Sequence, residues 1–114
     1  MPEYTMVIFT NPTKGMEAEF DEWYVSQHLP DVLKVPGFKA GQRFELVSEQ
    51  LKDGPHPWRF MTVFDIETDD LKATFDALKS RVNTPEMPMS PSLSEQRISS
   101  SFKAVTPKLK AEQS

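Results

Sequence analysis

Apolar positions along this chain follow two rhythms, a period of two and a period of 3.6, in the order strand, helix, strand, strand, helix, strand. Tyr4–Thr10 is rich in β-branched and aromatic residues and stops at Asn11-Pro12, a turn initiator, which marks a first strand. Tyr4, Met6 and Ile8 point one way and Val7 and Phe9 the other, so both faces are apolar and both are expected to be covered. A first helix is expected from Gly15 to about Gln27, with Gly15 as a loose cap and Glu17 and Glu19 near the positive end of the helix dipole. Its apolar stripe is Phe20, Trp23 and Tyr24. Pro30 disfavours helical geometry at the preceding residue, so the helix is expected to end or kink at His28-Leu29. A second short turn over Asp31–Lys34 is then closed by Val35-Pro36-Gly37.

Phe38–Glu49 reads as the second strand, with Phe38, Ala40, Phe44 and Leu46 on a core parity and Lys39, Gly41, Arg43 and Glu45 on a polar one. Lys52–Pro57 is the hairpin connection, and Trp58–Ile66 the third strand, apolar on both parities through Phe60, Phe64, Met61 and Val63. Thr68-Asp69-Asp70 caps a second helix whose Leu71, Phe75, Leu78 and Val82 keep the helical period until Asn83 and Pro85 end it. Thr84–Ser94 holds three prolines and no periodicity, and is expected to be an extended or mobile connection. Arg97–Val105 alternates enough, through Ile98, Phe102 and Ala104, to be a last strand. Residues 1–106 then form a single domain and 107–114 a polar tail that is expected to fray.

This order is the split βαβ, or ferredoxin-like, arrangement βαββαβ: an α+β fold with a four-stranded antiparallel sheet and two helices on one face. Such a sheet has a second face without helices. Here that face is apolar, and packing it against the same face of a second copy would close two sheets into a dimeric α+β barrel.

Composition narrows the functions. With 13 Lys and Arg against 17 Asp and Glu the net charge is -4, and no basic cluster stands out, which argues against a nucleic-acid partner. The absence of cysteine rules out disulfides and thiolate chemistry and fits a reducing cytoplasm. No apolar run approaches the ~20 residues of a membrane span, and the first residues lack a basic leader, so a cytoplasmic protein without a membrane partner is expected. Two histidines in unrelated elements make no metal-ligand set, and none of the four glycines falls in a phosphate-loop spacing, so neither a metal nor a nucleotide or flavin cofactor is indicated.

The segment Asn11-Pro12, Gly15, Phe20, Trp23-Tyr24, His28-Leu29-Pro30-Asp31-Val32-Leu33, Val35-Pro36-Gly37-Phe38 and Gln42-Arg43-Phe44 resembles the EthD-like branch of the dimeric α+β barrel superfamily. The match covers about Asn11–Phe44, and the remainder by element order alone. The resemblance implies the ferredoxin-like fold, the homodimer, and a cleft residue at His28 with Tyr24 beside it. It does not fix the reaction, because the superfamily spans cyclases, monooxygenases, isomerases and haem proteins.

The residues themselves leave each role with two readings. On a helix Phe20, Tyr24 and His28 form one stripe, with Trp23 and Gln27 on the adjacent strip. His28, whose side chain can exchange protons near neutrality, is either an acid/base or a tie between the helix end and the next turn. Tyr24 and Trp23 are core or pocket wall. Arg43 is either a cation facing a substrate or a partner in a salt bridge, and Asp31 either braces the turn after Pro30 or orients the imidazole. His56 is expected to be exposed and idle. The leading expectation is a small cofactor-free enzyme of cyclase, isomerase or lyase type acting on an apolar aromatic or polyketide-like molecule. His28 and Tyr24 would be catalytic, and Trp23, Phe9, Arg43, Phe44 and Met61 would contact substrate. The alternatives are a non-catalytic binding or sensing dimer, and a monooxygenase-type or haem-handling barrel.

Overall fold

In a computed structural model, which describes residues 1–112, the elements are β1 (Glu3–Thr10), α1 (Glu17–Trp23), a π-helical turn (Tyr24–His28), α2 (Leu29–Val32), β2 (Phe38–Glu45), β3 (Phe60–Glu67), α3 (Leu71–Arg81) and β4 (Ile98–Phe102). The strands form one antiparallel sheet in the order β2-β3-β1-β4, the ferredoxin-like order, with the helices on one face. Gln113 and Ser114, the end of the expected polar tail, lie outside the described residues. Lys103–Glu112 are exposed and carry no regular element.

The first helix does not break at Pro30. Widening of the backbone over Tyr24–His28 lets it continue through Leu29, which keeps helical angles (φ -59°, ψ -49°) and donates its N–H to the Tyr24 carbonyl five residues back. A proline inside an α-helix lacks an N–H and presses its ring on the carbonyl four residues earlier. A π turn placed immediately before Pro30 spaces the carbonyls differently and absorbs both defects. At the other end Met16, not Gly15, is the cap, and Gly15 takes a positive φ of 85° in the preceding turn.

The helix-facing side of the sheet is built from alternate residues: Met6, Ile8 and Thr10 of β1, and Phe60, Thr62, Phe64 and Ile66 of β3. Val32, Val35, Phe38 and Met87 complete one core cluster with Met6, Phe64 and Ile66. Phe20, Tyr24, Phe60 and Leu93 form a second. α3 is capped by the Asp70 carboxylate, which accepts from the Ala73 N–H at 3.0 Å.

Strand β2 departs from the expected parity. A register shift between Phe38 and Ala40 inserts one residue, so Phe38 opposite Ile66 faces the helices while Ala40, Gln42 and Phe44 face away. Gly41 opposite Phe64 and Arg43 opposite Thr62 take the inner positions instead. The strand is also shorter than expected, ending at Glu45 rather than Glu49.

The proline-rich connection before β4 is a packed element and not a loose one. Met87 is fully buried, Pro12 and Leu93 form an isolated bridge, the Thr13 N–H donates to the Ser92 carbonyl at 2.6 Å, and the Trp23 Nε1–H donates to the Pro88 carbonyl at 3.1 Å.

The bulge can be tested at Gly41. A Cβ there would sit 2.8 and 2.9 Å from ring carbons of fully buried Phe64 and 3.0 Å from Leu29 Cδ1. Gly41→Ala is therefore expected to destabilise by about 1–3 kcal/mol in a urea titration. An unbulged strand would point that methyl away from the helices and give a neutral or stabilising change.

Candidate functional site

Where the two core clusters meet, a half-open cleft of about 360 Å³ lies between the helix layer and the sheet. Its floor is β1, through Met6, Ile8 and Thr10, and the π turn contributes Tyr24 and His28. Residues of α3 and of the connection before β4 close the remaining side, with Met87 and Leu93 as apolar wall. Lys79 and Arg97, both exposed, bring positive charge to the rim.

The π turn sets the geometry of His28. In a regular helix the neighbour of Trp23 would be Gln27, but one extra residue per turn brings position i+5 over position i. The His28 ring accordingly stacks on Trp23 at 4.5 Å between centroids and 20° between planes, and meets Tyr24 edge-on at 5.1 Å and 84°. Its Nδ1 is buried without a hydrogen-bond partner. Burial lowers the His28 pKa from 6.5 to about 4, the Asp31 carboxylate opposing this and Arg97 adding to it, so the imidazole is neutral at pH 7.

Tyr24 is buried with its hydroxyl oxygen 2.9 Å from Thr62 Oγ1, which donates to it. Burial pushes the phenol above its ordinary value of 10.0, against the Thr62 hydrogen bond and the charges of Arg43 and Arg97, so it is a neutral hydrogen-bonding group. Asp31 does not hold the imidazole. Its carboxylate accepts from Gln27 Nε2 at 2.7 Å and lies 3.6 Å from Lys34 Nζ, bracing the turn after Pro30.

Other expected site residues lie elsewhere. Arg43 faces the helix layer but is not part of the cleft lining. Its guanidinium lies 4.8 Å from the Tyr24 ring, 5.0 Å from Phe60 and 5.4 Å from Phe20, and its Nη2 donates to Asp21 Oδ1 at 3.0 Å. It thus sits among the aromatic rings as the salt-bridge partner of Asp21. Phe9, Phe44 and Met61 line no part of the cleft, since the register sets Phe9 and Phe44 on either side of Met61 on the opposite face of the sheet. The bulge in β2 put Phe44 there, and strand alternation put Phe9 and Met61 there. Trp23 forms the backing of His28. His56 is exposed, with Nε2 3.0 Å from the Lys52 carbonyl oxygen.

Of the cleft lining only Tyr24 and His28 were expected site residues; Thr10, Lys79, Met87 and Arg97 are among those that the sequence did not single out. Thr10 shares strand parity with Met6 and Ile8, a signal that could have found it, and its buried Oγ1 has no partner. Met87 and Arg97 lie in and just beyond a segment without periodicity. Among the described residues no group of three or more His, Asp or Glu could hold a metal ion. No helix among them is long and apolar enough to cross a membrane.

No protein-family model matches the chain, and no curated protein matches it in sequence. Solved structures do. A variant of the haem degrader MhuD, with two manganese protoporphyrin IX bound per active site, superposes with TM-score 0.62 at 15% identity, covering 94% of this chain and 99% of that one. MhuD from Mycobacterium tuberculosis with two haems in its active site gives 0.57 at 16%, covering 92% and 98%. A protein from Shewanella loihica PV-4, described as a monooxygenase by assignment, gives 0.57 at 12%, covering 93% and 97%. The likeness is one of fold. It shows the ferredoxin-like α+β architecture over nearly the whole chain.

The depressed His28 pKa has a consequence for stability. The unfolded chain takes up a proton at this residue near pH 6.5 and the folded one only near pH 4, so folding is progressively disfavoured as pH falls through that window. The loss amounts to about 3 kcal/mol at most. Urea midpoints measured from pH 7 to pH 4 should fall for the native protein and fall distinctly less for His28→Gln; parallel curves would mean that the imidazole is not neutral in the fold.

Proposed function

We propose that the protein is a homodimeric, cofactor-independent enzyme that carries out acid/base chemistry on a compact, largely apolar molecule bearing an anionic group. The single observation that carries this reading is the neutral imidazole of His28, with a buried and unpartnered nitrogen, in an apolar cleft of about 360 Å³. That volume sits at the lower end of small-molecule sites, roughly 300–1,000 Å³. A neutral imidazole accepts a proton, and the Tyr24 hydroxyl, itself held neutral, donates a hydrogen bond to the same ligand. Burial is the main cause of the lowered His28 pKa, and a carboxylate paired with Arg97 would offset the smaller part that this cation adds, making the imidazole a somewhat stronger base once the ligand is in place. Cyclisation, isomerisation or lyase-type cleavage needs no more than this. A setting in the reducing cytoplasm accords with the lack of cysteine.

The dimer in this proposal is supported by the other face of the sheet. Val7, Phe9, Met61 and Val63 run across its centre, and Phe44, Ile98 and Phe102 are 40%, 49% and 57% exposed beside them. A contiguous apolar face of this kind on a one-layer sheet is stabilised by a second copy laid against it. At micromolar concentration sedimentation should give a dimer, and Val7→Lys a folded monomer. A native protein that sediments as a stable monomer would remove the barrel.

A second reading is haem handling, which the likeness to porphyrin-bound MhuD favours and which the free lone pair of a neutral His28 could serve. The residues present fit the group poorly. A four-pyrrole macrocycle with two propionates is larger than the cleft, and Trp23 already covers one face of the imidazole. Haemin added to the protein should therefore give no His28-dependent Soret shift.

Catalysis is tested through a ligand retained on purification, identified by native mass spectrometry and offered back as substrate. His28→Gln should keep the dimer while turnover falls by about 10²–10⁴-fold, the range for a lost proton-transfer group. A ligand bound and released unchanged by the native protein would replace the enzyme with a binding dimer.

A further inference from the structure

At the inner end of the cleft two hydroxyl groups are left with hydrogens to give. Thr10 and Tyr24 are each only 1% exposed, and both line the cleft. Thr10 Oγ1 is buried with no hydrogen-bond partner. The Tyr24 oxygen already accepts from Thr62, so its own proton remains unspent. Buried polar groups are almost always partnered, and one that is not calls for an explanation. Thr10 makes the point sharply, because it occupies a core-facing strand position next in parity to Met6 and Ile8, where a valine of the same shape would pack as well. At the outer end the charges are positive, Lys79 and Arg97.

We propose that Thr10 and Tyr24 form a receptor for a carbonyl or enolate oxygen, so that the cleft takes a keto acid with its carbonyl directed inward and its carboxylate at Lys79 and Arg97. The inference rests on the reading of the cleft as a site for an anionic small molecule and adds the group that its inner end recognises. In such a receptor both hydroxyls would donate to one oxygen and favour the form of the ligand in which that oxygen carries negative charge. Thr10 is thus a specificity-determining residue: a ligand without the oxygen leaves its hydroxyl unpaired, whereas a ligand with it satisfies a group that the fold itself leaves open.

The test compares 4-acetylbenzoate with 4-isopropenylbenzoate, which share a planar shape and the carboxylate and differ in that a methylene replaces the carbonyl oxygen, by NMR titration of the native dimer and its variants. The native protein should prefer the ketone by about fivefold or more, the effect of one net hydrogen bond. Thr10→Val should lessen the preference without loss of melting temperature, since it removes an unpartnered hydroxyl. Thr10→Ser should keep the preference, Tyr24→Phe should lessen it, and Arg97→Gln should weaken both ligands alike. Equal binding by the native protein, or an undiminished preference in Thr10→Val or Tyr24→Phe, overturns the oxygen receptor while leaving the anion cleft standing. Failure of both compounds to shift cleft resonances in the native protein removes the cleft reading, and the receptor with it.

Discussion

One proline governs the layout of the helix layer. Pro30 cannot sit in an undisturbed α-helix, and the chain meets that constraint by opening a π turn over Tyr24–His28 instead of ending the helix. The extra residue rotates everything after it. It carries His28 from the stripe of Phe20 and Tyr24 to a position over Trp23, and it lets Leu29 and Val32 continue down onto the sheet. Trp23 in turn is tied to Pro88, so the stack is fastened to the connection that walls the cleft. The defect in the helix and the location of the imidazole are therefore one event.

The sheet divides the remaining labour between its faces. Inward residues of β1 and β3 make the core and the floor of the cleft, while outward ones make a flat apolar surface. The bulge at the start of β2 decides which group each face receives from that strand. It delivers Arg43 to the inner side, where three rings surround the guanidinium and Asp21 neutralises it, and it sends Phe44 outward. Gly41 is what the inner side tolerates against Phe64, since any side chain there would need the space that the ring occupies.

Element order was legible because the β-branched and aromatic runs of β1 and β3, bounded by turn residues, and the 3.6 period of α3 are strong signals, and Asp70 caps that helix as its position implies. The parity of β2 was not, since a single inserted residue leaves the composition of the strand unchanged while exchanging its faces. The continuation of the first helix was hidden for a related reason: local rules for proline assume α geometry, and a π turn is invisible to them. His28 and Tyr24 could be found from an imidazole and a phenol spaced along one helix, and the structure brings both to the cleft. Phe9, Phe44 and Met61 could not be assigned to a wall without the register. Met87 and Arg97 reach the cleft through tertiary packing of a segment that has no period of its own.

The placement of the two tryptophans gives the molecule a built-in pair of optical reporters. Trp23 lies flat against the His28 imidazole, and Trp58 lies 6.4 Å from Phe9, beside the outward apolar surface. A protonated imidazole in van der Waals contact quenches indole emission by charge transfer, whereas a neutral one does so weakly. Emission from Trp23 would thus follow protonation of His28, while emission from Trp58 would follow hydration of the opposite face. Replacing either indole with phenylalanine separates the two signals, so events on the two sides of a sheet one residue thick can be followed in a single cuvette without an added label.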